Sequence, residues 1–383
     1  MKYNTKIIAM YFTQLHAIQE NDDWWGKGFT DWVNVKSARQ LLDTHYQPRV
    51  PLNSGYYDQA KIETIRWQVG LAKKYGIYGF CHYHYWFDGK QLLETPTNLF
   101  LHNTDIDFPF CLSWANETWS KRWDGRDHDI LIKQTHPPTE ESWSSHFDYL
   151  IKAWSDKRAI KIDGKPVFII YRPQKIEKIE SMLAFWNKKA KESGLKGVYY
   201  IFQKQYELSD NTCLRSFDAE FQFQPFEAIH SASYSQGAIY KQRIRRLIER
   251  LPEVAQSFIW SLWASSKKNY TIHQYDKVWS QIIHNSMKSS AETFPGVFVD
   301  WDNTARYGKR ATIIGGASPE RFKFWFNKLI AGVSNRPDDM NYVFLNAWNE
   351  WAECAYLEPD EKYGYEYLEA IKDVMSNPIS DNS

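Results

Sequence analysis

Glu350 and Glu353 stand three residues apart in the run Asn346-Ala-Trp-Asn-Glu-Trp-Ala-Glu353. On a helical turn this spacing puts both carboxyls on one face, with Cβ atoms about 5–6 Å apart. Two carboxyls that close raise each other's proton affinity, so one can hold a proton near neutral pH and act as a general acid. The separation fits a retaining glycosidase pair better than the wider inverting arrangement. Trp348 and Trp351 flank the pair and would help exclude water. The same spacing also opens ordinary helices, whose positive N-terminal end favours acidic residues. The place of the pair in the fold must decide between the two.

Other residues with suitable chemistry recur along the chain. Asn116 and Glu117 follow Trp114, where a carboxylate beside an indole can bind a sugar hydroxyl or orient the Glu pair; capping of the next helix is the rival. His82 and His84 alternate, so on a strand they share a face. Two histidines without a third ligand make a poor zinc site. Sugar hydrogen bonding is the better reading, with Tyr83 and Tyr85 packed on the opposite face. Asp300, Asp302 and Asn303 surround Trp301 but lack the remainder of a calcium loop. They suit hydroxyl binding or a turn. Arg306, Lys309 and Arg310 follow them, placed to meet a charged sugar, a phosphate or solvent. No cofactor or metal motif accompanies these residues.

Composition narrows the partner. Lys and Arg total 47 and Asp and Glu 46, which gives no basic surface for nucleic acid or anionic membrane. Aromatic residues make up 17% of the 383, including 18 Trp, and many Trp lie beside polar groups, as in Asp23-Trp24-Trp25-Gly26. An indole needs a partner for its N–H when buried. A flat apolar face beside hydrogen-bonding groups suits a sugar ring, so the expected partner is an oligosaccharide or polysaccharide. The four cysteines form no CxxC or zinc pattern. No apolar run is long enough for a signal peptide or a membrane span. A reducing, cytoplasmic setting is the expectation.

These residues need a scaffold that gathers them. Short apolar runs predict strands at 7–12, 77–85, 108–113, 166–171, 198–202, 219–223, 296–300 and 342–347. Helical patterns fall at 59–75, 140–155, 175–193, 241–251, 319–331 and 365–375, with a weaker one at 91–102. Eight alternating strand–helix units predict an α/β fold, a (β/α)8 TIM barrel spanning 1–383 as one catalytic domain. No GxGxxG follows the first strand, which counts against a dinucleotide fold. Segments 13–58 and 226–295 read as long insertions on the C-terminal face, and 376–383 as a frayed tail. The strand ends then carry Tyr11, the His82–Trp86 run, Trp114 to Glu117, Tyr171-Arg172, Gln203, Gln222 to Pro225, the 300–303 cluster and the 346–353 run. Eight polar, aromatic ends predict one pocket. Its candidate lining is Tyr11, Trp25, His82, His84, Trp86, Trp114, Asn116, Glu117, Gln203, Trp301, Asp302, Asn303, Asn346, Trp348, Asn349 and Trp351, around the catalytic candidates Glu350 and Glu353.

Several strings together resemble the WbsX-type proteins of bacterial polysaccharide loci, which are related to glycoside hydrolase family 99. They are Trp24-Trp-Gly-Lys-Gly-Phe-Thr-Asp-Trp-Val-Asn-Val35, His45-Tyr-Gln-Pro48, Gly79-Phe-Cys-His-Tyr-His-Tyr-Trp-Phe87, Trp114-Ala-Asn-Glu-Thr-Trp119, Trp301-Asp-Asn-Thr-Ala-Arg306 and the stretch from Asn346 to Pro359. The resemblance implies a (β/α)8 barrel and retaining, endo-acting chemistry on α-mannosides. Its Glu-x-x-Glu matches Glu350 and Glu353. The first Glu would deprotonate the sugar's own 2-hydroxyl, giving a 1,2-anhydro sugar, and the second would act as acid, then base. Cys354 stands where the family pattern has Gly. WbsX-type proteins are also labelled glycosyltransferases, and the two carboxylates permit transfer to an acceptor hydroxyl as well as to water. Three readings therefore stand: a glycosidase or transglycosylase on an α-mannose-like surface polysaccharide, a glycosyltransferase building an O-antigen or capsule, and a non-catalytic glycan-binding barrel.

Overall fold

A computed structural model describes residues 3–43, 45–121, 126–206, 212–231, 233–234, 270–290 and 292–376, together with 244, 247, 248, 251, 252, 255, 256 and 259. The expected helix at 241–251 lies mostly, and the tail from 377 wholly, outside these residues.

Eight parallel strands close into a barrel. They are β1 (Lys6–Tyr11), β2 (Gly79–Phe87), β3 (Phe110–Trp114), β4 (Lys165–Ile170), β5 (Tyr199–Lys204), β6 (Ala219–Gln222), β7 (Thr293–Phe294 and Gly296–Phe298) and β8 (Tyr342–Asn346). Each pairs with the next, and β8 returns to β1 with Lys6 opposite Tyr342. Pro295 splits β7. Its first half pairs with β6 and its second with β8, so one strand closes the ring. Proline cannot donate to a ladder, and it sits at the break. Gly296 follows because β6 comes so close there: a Cβ would lie 1.7 Å from the Gln222 carbonyl oxygen.

Strand residues alternate between two apolar layers, as period-2 geometry requires. Ile8, Met10, Cys81, Cys111, Val167, Ile169, Ile201, Phe221 and Phe344 fill the barrel. Ile7, Ala9, Phe80, Leu112, Phe168, Tyr200, Val343 and Leu345 face the surrounding helices. Those helices are α1 (Ile62–Lys74), α2 (Thr95–His102), α3 (Glu140–Trp154), α4 (Ile179–Glu192), α5 (Tyr275–Lys288), α6 (Pro319–Val333) and α7 (Glu366–Ser376). Thr139 and Ser318 cap α3 and α6 with their side-chain oxygens. Between β5 and β6 a short 3₁₀ turn, Thr212–Ser216, stands in place of a helix.

The segment 226–295 is more than an insertion. It contains α5, which buries Tyr275, Val278, Trp279 and Ile282 against the barrel at helical spacing. The first long loop carries two short helices, Gln19–Trp25 and Trp32–Ser37. Among the described residues no helix is long and apolar enough to cross a membrane.

Candidate active site

A cavity of about 490 Å³ opens at the C-terminal ends of the strands, and each strand or its following loop lines it. The first loop gives Phe12, Gln14, Trp24 and Trp25; β2 gives Tyr83 and Tyr85. Glu117 and Trp119 follow β3, and Tyr171 and Arg172 follow β4. The fifth and sixth strands bring Gln203, Phe223 and Phe226. Trp301, Asn303 and Arg306 come from beyond β7, and Asn346, Glu350 and Glu353 from β8 and its turn.

The turn after β8 is a small hairpin. Asn349 and Glu350 pair antiparallel with Tyr356 and Ala355. Trp351–Glu353 forms a 3₁₀ turn between them. Glu350 flanks this turn and Glu353 ends it, and both carboxyls reach the cavity and the same guanidinium, that of Arg306. Cys354 then reverses the chain in the left-handed region, at φ 57°. That region favours glycine, the residue that the resemblance implies at this position. Cys354 is buried, and its sulfur accepts from Gln47 at 3.1 Å. Trp351 stacks on Tyr356 at 3.8 Å between ring centres, and its indole N–H donates to Glu358 at 2.7 Å.

A single guanidinium organises the carboxylates. Arg306 Nη2 lies 2.7 Å from Glu350 Oε1 and 2.6 Å from Asp31 Oδ2, while Nη1 lies 2.9 Å from Glu353 Oε1. Burial drives Glu350 upward, to about 8; Arg306 opposes this, and the charges of Glu353 and Asp31 add to it. Glu353 is also raised, by burial first, against Arg306. The pair therefore favours holding a proton in the neutral range.

At the other end of the cavity, Arg172 Nε donates to Glu117 at 2.8 Å, and its Nη atoms donate to the hydroxyls of Tyr171 and Tyr206 at 2.9 and 2.5 Å. Among the described residues, three buried polar atoms on the wall have no hydrogen-bond partner in the structure: Ser120 Oγ, Gln203 Oε1 and Trp301 Nε1.

Of the residues singled out from sequence, Trp25, Glu117, Gln203, Trp301, Asn303, Asn346, Glu350 and Glu353 line this cavity. Five others point the opposite way because of strand parity. Cys81 points into the barrel, so Tyr83 and Tyr85 follow it into the cavity while His82, His84 and Trp86 face the helices. His82 Nδ1 lies 3.1 Å from Thr97 Oγ1 on α2, and His84 Nε2 lies 2.8 Å from His146 Nε2 on α3. Burial holds both histidines down to about 3, so they are neutral core imidazoles. Trp86 stacks on His146 at 4.7 Å. Tyr11 donates to Gln68 within the outer layer, and Trp114 packs there against His146 and Trp186.

The remaining five shape the site from behind. Asn349 bonds both the N–H and the carbonyl of Phe12, tying the hairpin to β1. Trp348 packs on Phe80 at 5.1 Å, and Trp351 is held by Tyr356 and Glu358 as described. Asn116 brackets the backbone of Arg172, donating to its carbonyl at 3.0 Å and accepting from its N–H at 2.8 Å. Asp302 accepts from Gln47 and pairs with His45, and Asp300 pairs with Arg49. Among the described residues no group of three or more His, Cys, Asp or Glu is arranged to hold a metal.

Sequence reasoning left Asp31, Arg172 and Arg306 off the candidate lining. Asp31 lies inside the Trp24–Val35 string, and that string was the available signal.

The fold has solved counterparts. The GH99 endo-alpha-mannosidase from Bacteroides thetaiotaomicron superposes with a TM-score of 0.54 at 12% identity, covering 98% of this chain and 97% of that one. A glycoside hydrolase-like protein gives 0.57 at 13% identity, covering 98% and 94%. Protein WxcX of Xanthomonas campestris pv. campestris strain B100, described as uncharacterized, is 33% identical over 372 residues. Its counterpart in strain ATCC 33913 is 32% identical over the same length. Each alignment covers 97% of this chain and 49% of the relative, so the chain spans about half the length of these curated relatives. The family model described as Glycosyltransferase WbsX matches residues 7–371, and with a barrel whose eight strand ends converge on one cavity the chain belongs to the WbsX family.

Proposed function

We propose that this chain is a carbohydrate-active enzyme, a retaining glycoside hydrolase or transglycosylase acting on an α-mannose-like bacterial surface polysaccharide. The observation that carries this reading is the buried pair Glu350 and Glu353, turned to one side of an aromatic-lined cavity and joined through Arg306. Tyr85, Trp24, Trp25, Trp119 and Trp301 give the cavity an aromatic lining that suits apolar sugar surfaces, together with polar groups such as Gln203 and Asn303.

In the reaction, Glu350 takes the proton of the sugar's 2-hydroxyl as O2 attacks C1. The glycosidic C1–O bond breaks, and Glu353 gives its proton to the departing oxygen. Water, or an acceptor hydroxyl, then opens the 1,2-anhydro ring at C1. Glu353 takes the incoming proton and Glu350 returns the first proton to O2. Two inversions at C1 give net retention. High proton affinity suits this base, because a sugar hydroxyl is a weak acid.

The charge inventory favours this chemistry over transfer from a nucleotide sugar. A diphosphate calls for unspent cations or helix N-termini. Both guanidinium groups lining the described cavity already pair with carboxylates, Arg172 with Glu117 and Arg306 with Glu350 and Glu353.

The test is a screen of α-mannose-containing oligosaccharides with the native protein, Glu350→Gln and Glu353→Gln, with and without nucleotide sugars. Retaining cleavage by the native chain, lost in both variants, is the expected result. Strict dependence on a nucleotide sugar overturns the hydrolase reading. Binding without turnover, unchanged in both variants, overturns catalysis altogether.

A further inference from the structure

Three carboxylates share one cation beside the cavity. Arg306 sits in the short helix Thr304–Tyr307, with its guanidinium 5.2 Å from the ring of Phe12. Asp31, at the N-cap of the helix Trp32–Ser37, has a fully buried side chain. Its Oδ2 accepts from Arg306 Nη2 at 2.6 Å, and its Oδ1 from Nε at 3.4 Å and from Asn34 at 2.8 Å. Asp31 therefore takes two of the five N–H directions of the fork, leaving Arg306 to meet Glu350 and Glu353 with the rest of its edge.

This arrangement answers a chemical difficulty. A guanidinium beside two carboxylates, with nothing else near, favours ionising both of them. An acid/base pair then has no proton to give. We propose that Asp31 is a positioning residue: by pairing with Arg306 it offsets the guanidinium charge, so that the Glu350–Glu353 pair keeps one proton while the fork still fixes the direction of both carboxyls. The inference rests on the reading of those two residues as an acid/base pair.

The other groups facing the pair do not supply this charge. Tyr83 and Tyr85 approach Glu350 from β2, and burial pushes both phenols up, which keeps them neutral. Cys354, next to Glu353, is a buried thiol raised by its surroundings. The charges acting on Glu350 are those of Arg306, Glu353 and Asp31. Asp31 comes from the first loop and the other three from the last two strand units, so the loop contributes to catalysis without touching substrate.

Carboxyl ¹³C titration of glutamate-labelled protein reads this directly, with the two resonances assigned by their loss in Glu350→Gln and Glu353→Gln. The native pair is expected to keep one proton above pH 7. Asp31→Asn should lower the pH of that last ionisation by about one unit or more. Arg306→Met should raise it. The opposite signs separate charge compensation from general disruption, which would not push the two variants apart. A native pair fully ionised below pH 6, or an Asp31→Asn titration that stays put or rises, overturns the proposal. If Asp31→Asn does not fold, Asp31→Ser removes the same charge, and a last ionisation that it leaves in place or raises overturns the proposal in the same way.

Turnover is not the readout. A chain that shows these titrations and cleaves no glycoside upholds the role of Asp31 and overturns the proposed function. A chain that cleaves glycosides with the Asp31→Asn titration unmoved does the reverse.

Discussion

The backbone amide of Asp302 donates to the backbone carbonyl of Glu353 at 2.9 Å. This bond joins the loop after β7 to the turn after β8, and so fixes Arg306 relative to Glu353. The Asp302 side chain is itself tied down. It accepts from Gln47 at 3.0 Å, from the Thr304 amide at 2.9 Å and from His45 at 2.6 Å. The Leu41 amide donates to His45 Nδ1, so Nε2 carries the proton that reaches Asp302. Removing the acceptor leaves buried donors without partners. Asp302→Ala is expected to cost about 2–4 kcal/mol of folding stability, and to lower kcat more than it raises KM. Urea denaturation and steady-state kinetics read the two effects. A variant with native stability and native kcat would mean that the network does not hold the turn.

The pH dependence follows from the raised carboxyls. The active form needs one proton on the Glu350–Glu353 pair. Below the first ionisation no base is present, and the rate rises with pH through it. As pH rises through the raised range of the pair the last proton leaves, the acid is lost and the rate falls. Folding stability also depends on pH here. Glu350 binds a proton more tightly folded than unfolded, so its contribution falls as pH rises from the ordinary carboxyl range toward 8. Glu350→Gln should flatten that slope. A rate that keeps climbing past pH 9, or an unchanged stability slope in Glu350→Gln, contradicts the assignment.

All eight strands were legible as short apolar runs, and their ends as polar and aromatic clusters. The face each strand turns inward was not, because period-2 alternation fixes which residues go together and leaves open which set faces the cavity. In β2 the polar set, His82 and His84, packs under the helices, and the aromatic set, Tyr83 and Tyr85, lines the cavity. Core partners on α2 and α3 decide this, and they are 15 and 62 residues away in sequence. The helix α5 was missed differently: its apolar positions, Tyr275, Val278, Trp279 and Ile282, follow a plain helical period inside a segment read as an excursion. In sequence, Arg306 is one of three nearby cations placed to meet a charged sugar, a phosphate or solvent. Its three acidic partners come from positions 31, 350 and 353, and only the closed barrel brings them together.

The parity correction is itself testable. Tyr85→Phe removes a hydroxyl from the cavity wall and should raise KM several-fold, with stability within about 1 kcal/mol of the native chain. His84→Ala empties a buried position packed against His146 and Tyr149. It should destabilise by about 2–4 kcal/mol and leave KM unchanged at temperatures where the variant is folded. Thermal denaturation and kinetics on the same preparations distinguish the two faces. The opposite pattern would mean that the histidine face meets substrate.

The cavity wall contributed by β5 gives the last prediction. Gln203 is 5% exposed, yet its Oε1 has no hydrogen-bond partner in the structure. A buried acceptor in that state costs roughly 1–3 kcal/mol of folding stability. Proteins keep such groups where function needs them. A sugar hydroxyl entering the cavity would donate to Oε1, and the same cavity carries a donor in Trp301 Nε1. Gln203→Met conserves volume and removes the amide. It should therefore leave the melting temperature unchanged or raise it, while weakening substrate binding by about tenfold or more, as for a site built around a hydroxyl. Differential scanning calorimetry and KM on one oligosaccharide measure both. A loss of stability with KM unchanged would show that Gln203 serves the fold, and that the hydroxyl is bound elsewhere in the cavity.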